Sequence, residues 1–286
     1  MTDIRSAASS TRGDLRPALA ASRAQWGLVM VLFALAGAAW WWSVELMRGM
    51  DNGPWTGLGT FGWFLGVWVV MMAAMMFPSV APTIALYARM SGKSRLLPLV
   101  FTGGYLVTWV GAGVVAFLIG VAASHAAGGE LAWGRAGRPV AGAMLILAAG
   151  YELTPLKNVC LGKCRSPLGT LLGSWRGGWS GALRMGAKNG AWCVGCCWAL
   201  MAALFALGVM SVGWMVFIAA LIAIEKLLPW KTFANRGVAV LLLVLGLSVA
   251  IAPERVPGLI LPGSPQAMPA MKSMDGASMH PRATSD

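Results

Sequence analysis

Three of the chain's five cysteines, Cys193, Cys196 and Cys197, fall in the run N-G-A-W-C-V-G-C-C-W-A-L-M over residues 189–201. On a helix these positions are i, i+3 and i+4, so Cys193 has both other thiols as neighbours on one side, and Met201 continues that side one turn on. Thiols held so closely suit a soft ion such as Cu(I), or thiol–disulfide exchange. Cys160 and Cys164 form a second cluster, a C-x3-C pair spanning one helical turn beside Lys163 and Arg165. A third source of sulfur is the run W-V-V-M-M-A-A-M-M-F-P, in which Met71 and Met75, and Met72 and Met76, are each i, i+4 pairs. A single methionine is ordinarily a packing residue. Two stacked pairs offer a thioether surface to a soft metal.

Two carboxylates accompany the sulfur: Glu152 at the end of an apolar segment and Glu225 near the end of another. Charge in an apolar segment is expensive unless paired, so Glu225 is either a functional group or half of an interfacial pair with Lys226. His125 reads as an interfacial polar residue. The last residues contain Met268, Met271, Met274, Met279 and His280, a pattern able to capture copper weakly.

The elements that must position these groups are membrane helices. The chain has 286 residues, 58% hydrophobic and 11% charged, with mean hydropathy +0.70. Soluble domains carry about 25% charged residues. The 15 tryptophans and 37 glycines fit a membrane protein, since Trp anchors at interfaces and Gly lets helices approach. A formal charge of +12 would also suit a nucleic-acid binder, but the basic residues sit in short segments between apolar runs, where they orient a protein against anionic lipid. No nucleic-acid partner is expected; the bilayer is. An odd number of cysteines, three of them in an apolar segment, argues against an extracellular disulfide framework.

The expected fold is all-α, a polytopic membrane bundle of about seven helices over residues 26–47, 57–77, 96–123, 139–153, 191–210, 212–228 and 238–252. Pro78 is expected to stop the second span. Residues 166–190 include a stretch suited to an amphipathic surface helix. Residues 1–25 read as a disordered cytoplasmic tail, 26–252 as the transmembrane metal-binding domain and 253–286 as a disordered Met-rich tail. With the N-terminus inside, 16 Lys and Arg fall in inner segments and 6 in outer ones, which supports a bacterial inner-membrane protein with the C-terminus outside. That topology puts the methionine pairs, both cysteine groups, Glu152 and Glu225 toward the inner face.

Four motifs carry a family resemblance: W-x2-M-x2-A-M-M-x-P (residues 68–78), Y-E-x-T-P-L-K-x2-C-L-x2-C-R-x-P (151–167), G-x2-C-V-G-C-C-W-A-L-M (190–201) and E-K-x2-P (225–229). Across roughly residues 26–252 the chain resembles a bacterial family of predicted metal-binding integral membrane proteins, known as a domain of unknown function. Some members look like copper-delivery partners of tyrosinase-type polyphenol oxidases. The resemblance implies copper handling and a copper enzyme as recipient.

The leading expectation is a carrier that binds Cu(I) through Cys160, Cys164, Cys193, Cys196 and Cys197. Met71, Met72, Met75 and Met76 would form a weaker, exchangeable shell, with Met201, Glu152 and Glu225 as further site residues. Zinc fits less well, because it favours Cys with His and the apolar spans contain no His. No G-x4-G-K-[ST] phosphate loop marks a transport ATPase, and the chain is expected to be a non-enzymatic carrier. The alternative is a membrane thiol–disulfide oxidoreductase using Cys193-Val-Gly-Cys196 and the Cys160/Cys164 pair. A structural role for the cysteines is the third reading.

Overall fold

The computed structural model describes residues 15–47, 60–92, 94, 96–127, 137–173, 175–208, 211–228, 231–253 and 256. Among these there is no strand, and the all-α expectation holds. The helices in order are α1 (Leu15–Met47), α2 (Phe61–Met90), α3 (Leu97–Ala127), α4 (Arg138–Glu152), α5 (Pro155–Arg165), α6 (Pro167–Leu172), α7 (Gly178–Leu207), α8 (Val212–Leu227) and α9 (Lys231–Ile251). The Met/His tail lies outside the described residues, as do residues 1–14.

Among the described residues, five helices are long and apolar enough to cross a membrane: α1, α2, α3, α7 and α9. Their outward faces carry large apolar side chains such as Leu118, Ile119, Val240 and Val244, as a lipid-facing surface requires. The other two expected spans are shorter. Helix α8 has 16 residues, below the ~20 of a full crossing. Helix α4 has 15 and turns into α5 through 68°. The bend has a local cause. Pro155 disfavours helical geometry at Thr154, which is extended (φ −73°, ψ 149°), and Pro155 then opens α5 at its first turn. The Thr154 hydroxyl accepts a hydrogen bond from the Lys157 backbone N–H at 3.3 Å, capping α5.

Helix α7 is the axis of the bundle. It packs along α3 and also touches α4, α5 and α8, while α9 pairs with α4 and α1 with α2. Helices α3 and α7 approach closely because Gly104 and Gly186 face each other's backbones. A methyl at either would collide with the facing carbonyl of Leu183 or Phe101. Along α3, Gly104 meets α7 and Gly113 meets the Trp68 ring, whereas Gly103 and Gly111 border open space.

Several helix limits depart from expectation; α9, for one, begins at Lys231 rather than 238. Helix α2 does not stop at Pro78 but continues through Pro78 and Pro82 to Met90. Each proline removes one backbone donor, yet the segment stays helical, and the residues around it, Met75, Met76, Phe77, Val80 and Ala81, are buried in the bundle. Helix α7 begins at Gly178, so the basic stretch before residue 191 is part of the long helix rather than a separate surface helix. The cysteine cluster consequently sits midway along α7, not at its entrance. Helix α1 begins at Leu15, ahead of the expected residue 26.

Candidate metal centre

The buried stripe of α7 carries Cys193, Cys196 and Cys197, each at most 3% exposed. The bend after α4 aims α5 at this stripe, and Cys164, near the end of α5, is brought to it. Cys196 Sγ lies 3.6 Å from Cys164 Sγ and 3.4 Å from Cys197 Sγ. The sulfurs of Cys164, Cys193 and Cys196 all lie within 4.8 Å of one another. A trigonal ion with metal–sulfur bonds of about 2.3 Å would hold its three sulfurs about 4.0 Å apart, so this spacing suits a metal ion with small adjustments. All five cysteines are free thiols.

Two neighbours complete the surroundings of Cys193. From α2, Met76 Sδ lies 3.9 Å away. From α3, the Tyr105 hydroxyl hydrogen-bonds the thiol at 3.1 Å. Lys226 of α8 adds a charge: its ammonium donates to Cys193 Sγ at 3.2 Å, to Ser79 Oγ at 3.1 Å and contacts Met76 Sδ at 4.0 Å. The cation therefore ties α2, α7 and α8 together at the sulfur cluster.

The remaining expected ligands are placed differently. Cys160 is buried on α5 with its sulfur against the backbone of Gly195, where a Cβ would stand 2.9 Å from Sγ. The Tyr151 hydroxyl donates to the Gly195 carbonyl nearby, fixing the same junction. Met71, Met72, Met75 and Met201 are buried in the surrounding core. Glu152 and Glu225 both face Lys157. Its ammonium lies 2.7–2.8 Å from both Glu152 oxygens and 2.8 Å from Glu225 Oε2. Lys157 is fully buried, and Glu225 Oε1 is left without a hydrogen-bond partner. This triad joins α4, α5 and α8 beneath the cysteines. His125 is exposed near the end of α3.

Lys157, Lys226 and Tyr105 were not singled out by sequence as parts of the site. A signal existed for the lysines. Adjacent helical residues point about 100° apart, so Glu225 and Lys226 cannot face one another and each needs a partner elsewhere. Lys157, five residues after Glu152 across a Thr-Pro break, was the available cation. Tyr105 gave no local signal, because its relation to Cys193 depends on how α3 packs against α7.

The fold and the site together define a class: a helical bundle with membrane-length apolar helices and a buried thiol cluster able to hold a metal ion. The family model for the PpoB2 copper chaperone matches residues 65–249, and the chain belongs to that family. The matched stretch runs from α2 to α9 and contains every residue of the cluster, and the resemblance read from the four motifs is borne out. No curated protein and no solved structure matches the chain.

Proposed function

We propose that this protein is a membrane carrier that takes Cu(I) on Cys164, Cys193 and Cys196 and delivers it to a copper enzyme. The observation carrying this reading is the meeting of three thiol sulfurs, from two elements nearly thirty residues apart, within 4.8 Å inside an apolar bundle. Thiolates are the preferred ligands of Cu(I), and the family's description adds copper as the cargo. Cys197 and Met76 stand next to the three thiols as further soft donors through which the ion exchanges during hand-over. A site with such neighbours allows transfer, whereas a closed four-thiolate cage favours retention. Lys226 offsets part of the negative charge of a multi-thiolate complex in an apolar setting.

The proposed setting is the bacterial inner membrane, with residues 26–252 as the metal-binding domain, the N-terminus inside and the C-terminus outside, on the strength of the charge asymmetry. The Met/His tail would then collect copper on the outer side. Protein purified from copper-replete cells is expected to hold close to one copper per chain by elemental analysis, and Cys193→Ser with Cys196→Ser is expected to remove it. Absence of copper from the wild type, together with a reversible Cys164–Cys196 or Cys196–Cys197 disulfide in thiol trapping, would overturn this reading in favour of thiol–disulfide exchange. Truncation after Pro265 tests the tail: unchanged copper uptake removes it from the mechanism.

A further inference from the structure

Away from the sulfur cluster, a cavity of about 670 Å³ opens where α6 leads into α7. Three cations line it, Arg176, Arg184 and Lys188, together with Trp175 and Met185. Arg184 and Lys188 are i, i+4 on α7, and Arg176 returns to the same face from the segment before the helix. That return is fixed locally, because the Arg176 backbone N–H donates to Met185 Sδ at 3.3 Å. Among the described residues no carboxylate lines the cavity and none of the three cations takes part in an ion pair. Three positive charges drawn into one concavity repel one another unless an anion joins them.

The surroundings say what kind of anion. Large apolar side chains stand open within the lining itself: Leu172 is 64% and Trp175 40% exposed. Trp175 also has the ring type enriched at membrane interfaces. A freely soluble anion has no use for such a lining, whereas a phospholipid needs both a cationic seat for its phosphate and an apolar surface for its chains. We infer that this cavity is a binding site for the headgroup of an anionic phospholipid, with the phosphate between Arg176, Arg184 and Lys188 and the acyl chains leaving along Leu172 and Trp175.

The assignment also gives the sulfur cluster a depth. Helix α7 runs 1.5 Å per residue, so Cys193 lies roughly 8–14 Å along the axis beyond Lys188 and Arg184. A headgroup held at those cations puts the thiol cluster inside the hydrocarbon layer, near one leaflet, where water cannot compete for the ion.

The test is native mass spectrometry of the full-length protein, purified in mild detergent and exchanged into bilayer nanodiscs of phosphatidylcholine containing phosphatidylglycerol. Wild type is expected to retain phosphatidylglycerol in preference to phosphatidylcholine. Neutralising Arg176, Arg184 and Lys188 to Gln should lower that preference by about fivefold per charge removed. Arg176→Lys with Arg184→Lys keeps the charges and is expected to keep most of the preference, which separates lost charge from lost fold. Copper content should be unchanged in every variant, since none touches the thiols. Phosphatidylglycerol retention in the triple Gln variant equal to wild type would overturn the proposal. So would displacement of the lipid by millimolar inorganic phosphate, which would identify a site for free phosphate instead.

Discussion

The Lys226 ammonium lies 3.2 Å from the Cys193 sulfur, on a different helix and 33 positions away, while its sequence neighbour Glu225 turns to Lys157. Two adjacent residues of α8 thus feed two different buried networks, one of sulfur and one of carboxylate. The first compensates negative charge where the ion would bind. The second fastens the element that brings Cys164.

Lys226→Met is expected to weaken Cu(I) binding by about ten- to hundredfold, the worth of a hydrogen bond to a charged group. Lys226→Arg should recover part of the loss. Competition against a colourimetric Cu(I) chelator measures both, and unchanged affinity in the Met variant would mean the ammonium has no part in holding the ion.

The cysteines should not behave alike. Cys164→Ser, Cys193→Ser and Cys196→Ser are each expected to lower bound copper sharply. Cys160→Ser should leave stoichiometry close to wild type, because its sulfur packs against Gly195 rather than joining the three-sulfur group. Elemental analysis of the four single variants distinguishes this arrangement from a five-thiolate site, in which Cys160 would count equally.

Lys157→Met leaves Glu152 and Glu225 buried without a counter-charge and is expected to destabilise the protein by about 3–5 kcal/mol. The triple variant Lys157→Met, Glu152→Gln, Glu225→Gln removes the charges together and should be more stable than the single one. Thermal unfolding in detergent gives the order. In the single variant Cys164 should also react faster with a thiol reagent, as α5 loses its hold on the bundle.

Gly186→Ala is expected to cost about 1–3 kcal/mol, because its methyl would enter the Phe101 backbone and force α3 from α7. Gly103→Ala, bordering open space in the same pair of helices, should be neutral or stabilising by up to about 1 kcal/mol. Equal effects in thermal unfolding would contradict the close approach at Gly186.

What the sequence determined by itself was whatever depends on composition and on short spacing. Continuous apolar runs of about 20 residues with few charges point to membrane helices, since a helix closes its backbone hydrogen bonds within the segment. Cys193, Cys196 and Cys197 share a helix side because i, i+3 and i+4 always do. The four motifs were enough to place the chain among copper-handling membrane proteins. Helix ends were less legible: two prolines that lower helix propensity locally did not end α2, because burial in the bundle outweighs local preference. The tertiary structure alone decided which sulfurs meet. Cys160 and Cys164 are equivalent in spacing, yet the 68° bend at Thr154 sends Cys164 to Cys196 and leaves Cys160 against Gly195. It likewise decided that Glu225 pairs with Lys157 and that Lys226 faces Cys193. These choices rest on the direction in which separate helices pack, and no local pattern along one chain encodes that direction.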